Sequence, residues 1–258
     1  MYEVSHLVLY SAFDIFPHAF KWQRYKIPFK HSIIPKNIRI FARSNNSLTN
    51  TVFEMKKLLL SVCGLIAAFN ATAQTPQFVS TEPSNRNVII EEFTGVNCGF
   101  CPDGHRIIRE YEEANPGRVF GINIHQGGYA AMYTTQWGDS IANQTGLNGY
   151  PSGTVNRHRF GGTATALGRD RFVNSGNQIQ AMSSFVNVAA QATIDALTRT
   201  LTVNVEAYYT ADAETGMNLI NVALLQDSII GVQAGASANP SQVTSDGKYI
   251  HMHMLRHL

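Results

Sequence analysis

NVIIEEFTGVNCGFCPDGH, residues 87–105, sets an apolar run and two glutamates before a turn and two cysteines three positions apart. The run predicts a buried strand over Val88–Phe93, ended by Thr94-Gly95. Pro102 then suits the first turn of a helix, which Ile107, Ile108 and Tyr111 continue on one face and Asn115-Pro116-Gly117 stops. Val119–Ile124 reads as a second strand. Cys98 lies in the turn and Cys101 at the start of the helix, a spacing suited to redox or metal chemistry.

Upstream of this unit the chain changes character. Residues 1–54 hold seven Lys or Arg, three Asp or Glu, and prolines at 17, 28 and 35 that interrupt any period. From Met55 the sequence MKKLLLSVCGLIAAFNATAQ has two lysines, an apolar stretch and the small-residue site Ala71-Thr72-Ala73. This pattern predicts a signal peptide over 55–73, with residues 1–54 a non-native upstream extension. The apolar stretch is about a dozen residues, short of the roughly 20 that span a bilayer. Cys63, preceded by Val62, reads as an ordinary signal-peptide residue.

Cleavage after Ala73 changes the charge. The whole chain has 20 Lys+Arg and 18 Asp+Glu, a formal charge of +2. Without the nine basic and three acidic residues of 1–73 it stands near −4, with Lys248 its one lysine. No basic stripe offers a nucleic-acid footprint. Cys98 and Cys101 are then the remaining cysteines, and an exported chain lives where disulfides persist. A loop this short staples little of a fold.

Beyond the second strand, residues 126–149 are polar and glycine-rich, with a short helical possibility around Ser140–Gln144, and lead into GYPSGTVNRHRF, where Tyr150-Pro151 opens a strand. Apolar residues at 172, 179, 182 and 185 allow a closing helix. From Val186 the period becomes two: 186–194, 201–209, 217–225 and 248–255 read as antiparallel strands with a sandwich-like spacing.

These segments, EEFTG-x-x-CGFCPDGHR, GYPSGTVNR and the terminal YIHMHMLR, resemble the Omp28-related outer-membrane proteins of Bacteroidetes. The resemblance implies an α/β thioredoxin-like domain over 74–185, followed by an all-β immunoglobulin-like sandwich that is partial over 186–258 and C-terminally truncated. It also implies outer-membrane association. Similarity to thioredoxins at large implies roles for Glu92, six before Cys98, as a buried carboxylate, and for Pro151 as a cis-proline facing the cysteines. The chain departs from that pattern in lacking a lysine partner for the carboxylate, in the Gly-Phe between the cysteines and in the long insert before Pro151.

The expected chemistry is thiol–disulfide exchange with envelope protein thiols or disulfides, without a cofactor. Cys98 attacks, Cys101 resolves, and Glu92 takes the Cys101 proton. Alternation then places Glu91 toward solvent. Two rivals stand beside this reading. One is a non-catalytic surface binding or adhesion protein with a structural disulfide. The other is a copper or zinc site from Cys98, Cys101, His105 and His125, with His251 and His253 as a second pair on one face of the last strand; against it, His105 on the helix reads as a solvated surface residue.

Overall fold

In the computed structural model, residues 6–12, 37–44, 78–213 and 218–258 are described. The proposed signal peptide, 55–73, lies outside them. Two strands come from the upstream region, β1 (His6–Ala12) and β2 (Asn37–Ser44). There follow β3 (Ser84–Asn85), β4 (Val88–Thr94), α1 (Cys101–Ala114), β5 (Val119–His125), α2 (Gln136–Ala142), β6 (Ser152–Val155) and β7 (Leu167–Gly168). After a 3₁₀ turn at Arg169–Arg171 come α3 (Phe172–Gln180), β8 (Ser183–Ser184), β9 (Val186–Asp195) and β10 (Thr200–Tyr209). The chain continues as β11 (Leu219–Gln226), β12 (Ile229–Gly231), β13 (Tyr249–His251) and β14 (Met254–His257).

Among the described residues the main sheet has the order β1-β11-β14-β5-β4-β6-β7. β4 is central. It pairs parallel to β5 (Glu92↔Asn123) and antiparallel to β6 (Glu92↔Gly153), and all seven of its residues are buried. Alternation sends Val88 and Ile90 to a core with Ile108 and Tyr111 of α1 and Phe172 and Ile179 of α3. It sends Ile89 and Phe93 the other way, onto Ile122, Ile124 and, from α2, Ile141. Each fully buried side chain of this size contributes about 1.5–3 kcal/mol relative to exposure.

The strands expected over 186–209 form as β9 and β10, an antiparallel pair in register from Val186↔Tyr209 to Asp195↔Thr200. The expected separate sandwich does not follow. β11 and β14 enter the main sheet instead, β14 beside β5 and β11 beside β14. Ala223, Leu225 and Leu255 close the same core as Phe93 and Ile122, while Leu224 on the opposite face packs with Leu201, Val203 and Val205 of β10. β11 is therefore buried on both sides and joins β10 to the main sheet. An immunoglobulin-like sandwich is not what these pairings make; the fold is mixed α/β with one large and several small sheets.

The backbones of β1 and β2 take the outer edges, β1 antiparallel to β11 (Leu9↔Val222) and β2 parallel to β10 (Ile40↔Val203). The last predicted strand is broken. His253 has φ +53°, a left-handed conformation that interrupts the ladder between β13 and β14.

Candidate functional site: the Cys98–Cys101 turn

Cys98 and Cys101 form a disulfide, with Cα atoms 5.4 Å apart. The turn carrying it is held from both ends. Cys98 N–H donates to the Gly95 carbonyl (3.0 Å), and Asn97 N–H donates to the Tyr129 carbonyl (3.0 Å). α1 starts at Cys101, with Phe100 as its N-cap residue and Pro102 in its first turn, where a missing N–H costs nothing. The C-terminal region supplies a clamp: Gln233 Nε2 donates to the carbonyls of Gly95 (3.1 Å) and Cys98 (3.0 Å), and Ala234 N–H donates to that of Val96 (2.7 Å). Gly235, at φ +69°, lies so close that a Cβ there would collide with the Gly99 carbonyl.

Both sulfur-bearing residues are buried, Cys98 at 3% exposure and Cys101 at 0%. Cys98 nevertheless lines a cleft of about 860 Å³ with Phe100, Gln126, Tyr129, Leu147 and Tyr150. Phe100 is 69% exposed beside it, with the Arg169 guanidinium 5.7 Å from its ring centre. Tyr129 and Tyr150 stand 5.5 Å apart between ring centres, and the Tyr150 hydroxyl donates to Gln126 Oε1. Pro151, buried, follows a cis peptide bond and leads into β6.

Glu92 lies behind α1, fully buried, and neither carboxyl oxygen has a hydrogen-bond partner. Burial without a compensating cation pushes its pKa well above the usual carboxylate range; Arg169 opposes this shift and Asp103 adds to it. Burial thus favours its protonated form. Its space comes from Gly104, where a Cβ would overlap Glu92 Oε1 and come within 3.4 Å of the Pro151 Cβ. Gly→Ala within a helix ordinarily stabilises by about 1 kcal/mol. Gly104→Ala is expected to do the opposite, costing about 1–3 kcal/mol through overpacking against Glu92. Chemical denaturation reads the sign, and a gain in stability would contradict the packing.

Glu91 is not on a solvent face. At 1% exposure it accepts from Arg157 Nε (2.7 Å) and Nη2 (2.5 Å) and from Thr154 Oγ1 (2.8 Å). Alternation does separate Glu91 from Glu92, but a central strand has protein on both sides, and an arginine and a threonine cover the second face.

His105, expected at a helix surface, is buried at 6% exposure. One ring nitrogen, Nε2, is 2.9 Å from Thr94 Oγ1 and 3.7 Å from Glu92 Oε2; the other, Nδ1, is 2.9 Å from the Tyr249 hydroxyl. That hydroxyl is 2.9 Å from both Gln242 Oε1 and Asn239 Nδ2. Next to this chain stand His125 and His251, ring centres 5.3 Å apart, both in edge contact with Tyr133. The residues of this network that sequence reasoning missed are Tyr249, Asn239 and Gln242. The spacing 101, 104, 105, 108, 111 of the buried face of α1 is the signal that would have placed His105 inward.

The rival metal arrangement does not assemble. The cysteines are bonded to each other and both His105 nitrogens have partners. Among the described residues no group of three or more His, Cys, Asp or Glu is placed to hold an ion. His251 and His253 do not share a strand face. His251 is buried with its Nε2 3.2 Å from the Val232 carbonyl, whereas His253 reaches Glu112 (3.6 Å) and Asp227 (3.7 Å).

The buried histidines make stability depend on acid. Burial lowers the pKa of His105, His125 and His251, that of His125 to about 3. Below about pH 6.5 the unfolded chain takes up protons that the folded chain refuses, so their contribution, complete above that pH, is lost as pH falls. For His125, whose folded value lies well below 6.5, the expected loss approaches about 1.4 kcal/mol per pH unit. His125→Phe should remove one proton's worth of this slope in denaturant titrations between pH 7 and 5; an unaltered slope would show that His125 does not carry the effect.

Among the described residues no helix is long and apolar enough to cross a membrane. No curated protein matches the chain. Among solved structures, HBP35 of Porphyromonas gingivalis is similar at 18% identity and a TM-score of 0.44, over 67% of this chain and 56% of that one. The chain thus aligns with little more than half of that protein's length. A protein of Agrobacterium tumefaciens is similar at 12% identity and a TM-score of 0.29, over 67% of this chain and 94% of that one. The family model described as outer membrane protein Omp28 matches residues 138–258, a span that holds β6, β11, the turn clamp and Tyr249. Over those residues the chain is similar to the Omp28 outer membrane proteins, a likeness that fits an exported protein of the outer membrane or cell surface.

Proposed function

We propose that the chain is an exported thiol–disulfide exchange protein with a thioredoxin-like core, acting on protein thiols or disulfides of the envelope. The observation that carries this reading is the Cys98–Cys101 bond at the edge of a cleft, at the start of α1, with a buried carboxyl, Glu92, behind the same helix. The strand order β5-β4-β6-β7, with α1 and α3 on one face and α2 on the other, supports the core assignment. In the oxidising direction a substrate thiolate attacks Cys98 Sγ, the Cys98–Cys101 bond breaks, and Cys101 leaves as a thiolate that takes the Glu92 proton. The Gly149-Tyr150 segment leading into the cis Pro151 lines the cleft and would pair with an extended substrate. The signal-peptide reading places the mature N-terminus near Gln74, which N-terminal sequencing of envelope protein reads.

The near-complete burial of both cysteines favours one rival, a surface binding protein in which the bond is a fixed staple. Trapping separates the two. Reduced Cys101→Ser, mixed with envelope extract, is expected to accumulate mixed disulfides through Cys98, and Cys98→Ser to accumulate few. Absence of trapped species in both variants would make the bond a staple.

A further inference from the structure

Resting on the exchange reading, we propose that the cleft beside Cys98 docks an extended polypeptide with a large apolar side chain next to its cysteine, and that Phe100 and Tyr129 select it. An exchange partner must bring a sulfur to Cys98, so the groups flanking that sulfur are set down against the lining of this cleft. Much of the lining comes from the long insert before Pro151, the segment in which the chain departs from the thioredoxin pattern.

Aromatic rings give the cleft its apolar character. Tyr150 is fixed at its far end, where its hydroxyl donates to Gln126 Oε1. Tyr129 is placed by its backbone, whose carbonyl accepts from Asn97 N–H (3.0 Å) on the cysteine turn. Its ring stays 53% exposed, 5.5 Å centre to centre from that of Tyr150. Phe100, between the two cysteines, is 69% exposed, and Leu147 completes the apolar lining. Rings left in water beside a disulfide gain free energy when a partner covers them. Because Tyr129 and Tyr150 are already held in place, little ordering of the site is needed on binding.

Charge selects the occupant. Among the described residues that line the cleft there is no Asp, Glu, Lys or Arg. Arg169, which reaches the Phe100 ring, already bonds Asp103 at 2.6 Å. Burial and, behind it, the charge of Asp139 on α2 raise the pKa of the Tyr150 hydroxyl, so the charge felt at this wall is negative. A small anionic thiol such as glutathione therefore finds no free counter-charge here, whereas an uncharged stretch of chain needs none. Asn143 and Asn148 supply side-chain amides that match peptide groups. The backbone is also open to a second chain, since a Cβ at Gly99 or Gly149 would meet nothing within 4 Å.

The test reads docking without exchange. Two short, uncharged, fluorescent peptides carry serine in place of the reactive cysteine, one with Phe and Leu beside it and one with further serines; anisotropy reports their binding to the oxidised full chain. The Phe/Leu peptide is expected to bind at least about 10-fold more tightly, the lower end for burying one such side chain. The double variant Phe100→Ser/Tyr129→Ser should bind the two peptides alike, whereas Leu197→Ser, an exposed apolar loss at the β9–β10 turn, should keep the preference. S-methylglutathione should not displace the Phe/Leu peptide. Equal binding of the two peptides, binding of neither, a preference that survives in the double variant, or displacement by S-methylglutathione would overturn the docking site. The wild-type comparison stands even where the double variant folds poorly. Neither peptide has a thiol, so the two readings fail separately: mixed disulfides trapped without any peptide preference refute the docking site alone, and peptide preference without trapped species refutes exchange alone.

Discussion

A fragment ending at residue 185 is expected not to fold cooperatively, although it contains the whole strand–cysteine–helix–strand unit. Its loss goes beyond one hairpin. Leu225, Leu255 and Ala223 leave the core that holds Phe93, Ile122 and Ile124. Buried Tyr249 and Met254 go with them, and the edge of β5 loses β14. Deleting one buried leucine to alanine costs about 2–5 kcal/mol. Several together exceed the roughly 5–15 kcal/mol that stabilises a domain. The clamp from Gln233 and Ala234 onto the cysteine turn is also lost. Denaturant melts of 78–185 and 78–258 compare the two directly. A sharp transition of similar midpoint in the short fragment would contradict this and restore the boundary at 185 that the change of period implies. By contrast, protease should cut first at the β9–β10 turn, where Leu197 is 97% exposed.

Glu92→Gln is expected to raise stability at pH 8 while slowing exchange about 10²-fold. The two effects share one cause. The folded-state pKa of Glu92 is raised by burial above that of the unfolded chain. Below the unfolded value both states hold the proton and nothing is lost. As pH rises through the window between the unfolded and folded values, the unfolded chain sheds a proton that the folded chain keeps, so stability falls. Glutamine cannot ionise in either state, so the variant lacks this fall, and its advantage, on the order of 1–3 kcal/mol, should shrink toward pH 4. It also cannot give Cys101 a proton. Paired melts at pH 4 and 8, with dithiol reduction rates, measure both. A variant less stable than wild type at pH 8 would mean that the carboxyl is not held protonated.

Much of the unit around the cysteines was legible because its signals are local. β4, α1 and β5 fall within one residue of their expected bounds, since a short apolar run, a proline in the first turn and an Asn-Pro-Gly stop each act on neighbouring backbone. Of the four later strands, the pair at 186–209 was legible with its pairing, the third as a strand with the wrong neighbours, and the fourth is broken at His253. Alternation at 219–226 specifies a strand but not its neighbour, and β11 found protein on both faces through Leu224 and Leu225. His105 and Glu91 were misread for a related reason. A polar residue is read as exposed unless its partner is known, and the partners, Tyr249 and Arg157, lie 144 and 66 residues away. The break at His253 gave no signal at all, because a positive φ at a non-glycine residue is imposed by the surrounding packing.

The central claim is that the Cys98–Cys101 bond turns over, and the reduction potential of that pair tests it most directly. Equilibration of the full chain against glutathione and dithiothreitol buffers, with thiol alkylation as the readout, is expected to give a value within the span of catalytic pairs, about −120 to −270 mV. A value below about −300 mV, where structural disulfides of exported proteins lie, would contradict exchange and leave the bond as a staple for the turn.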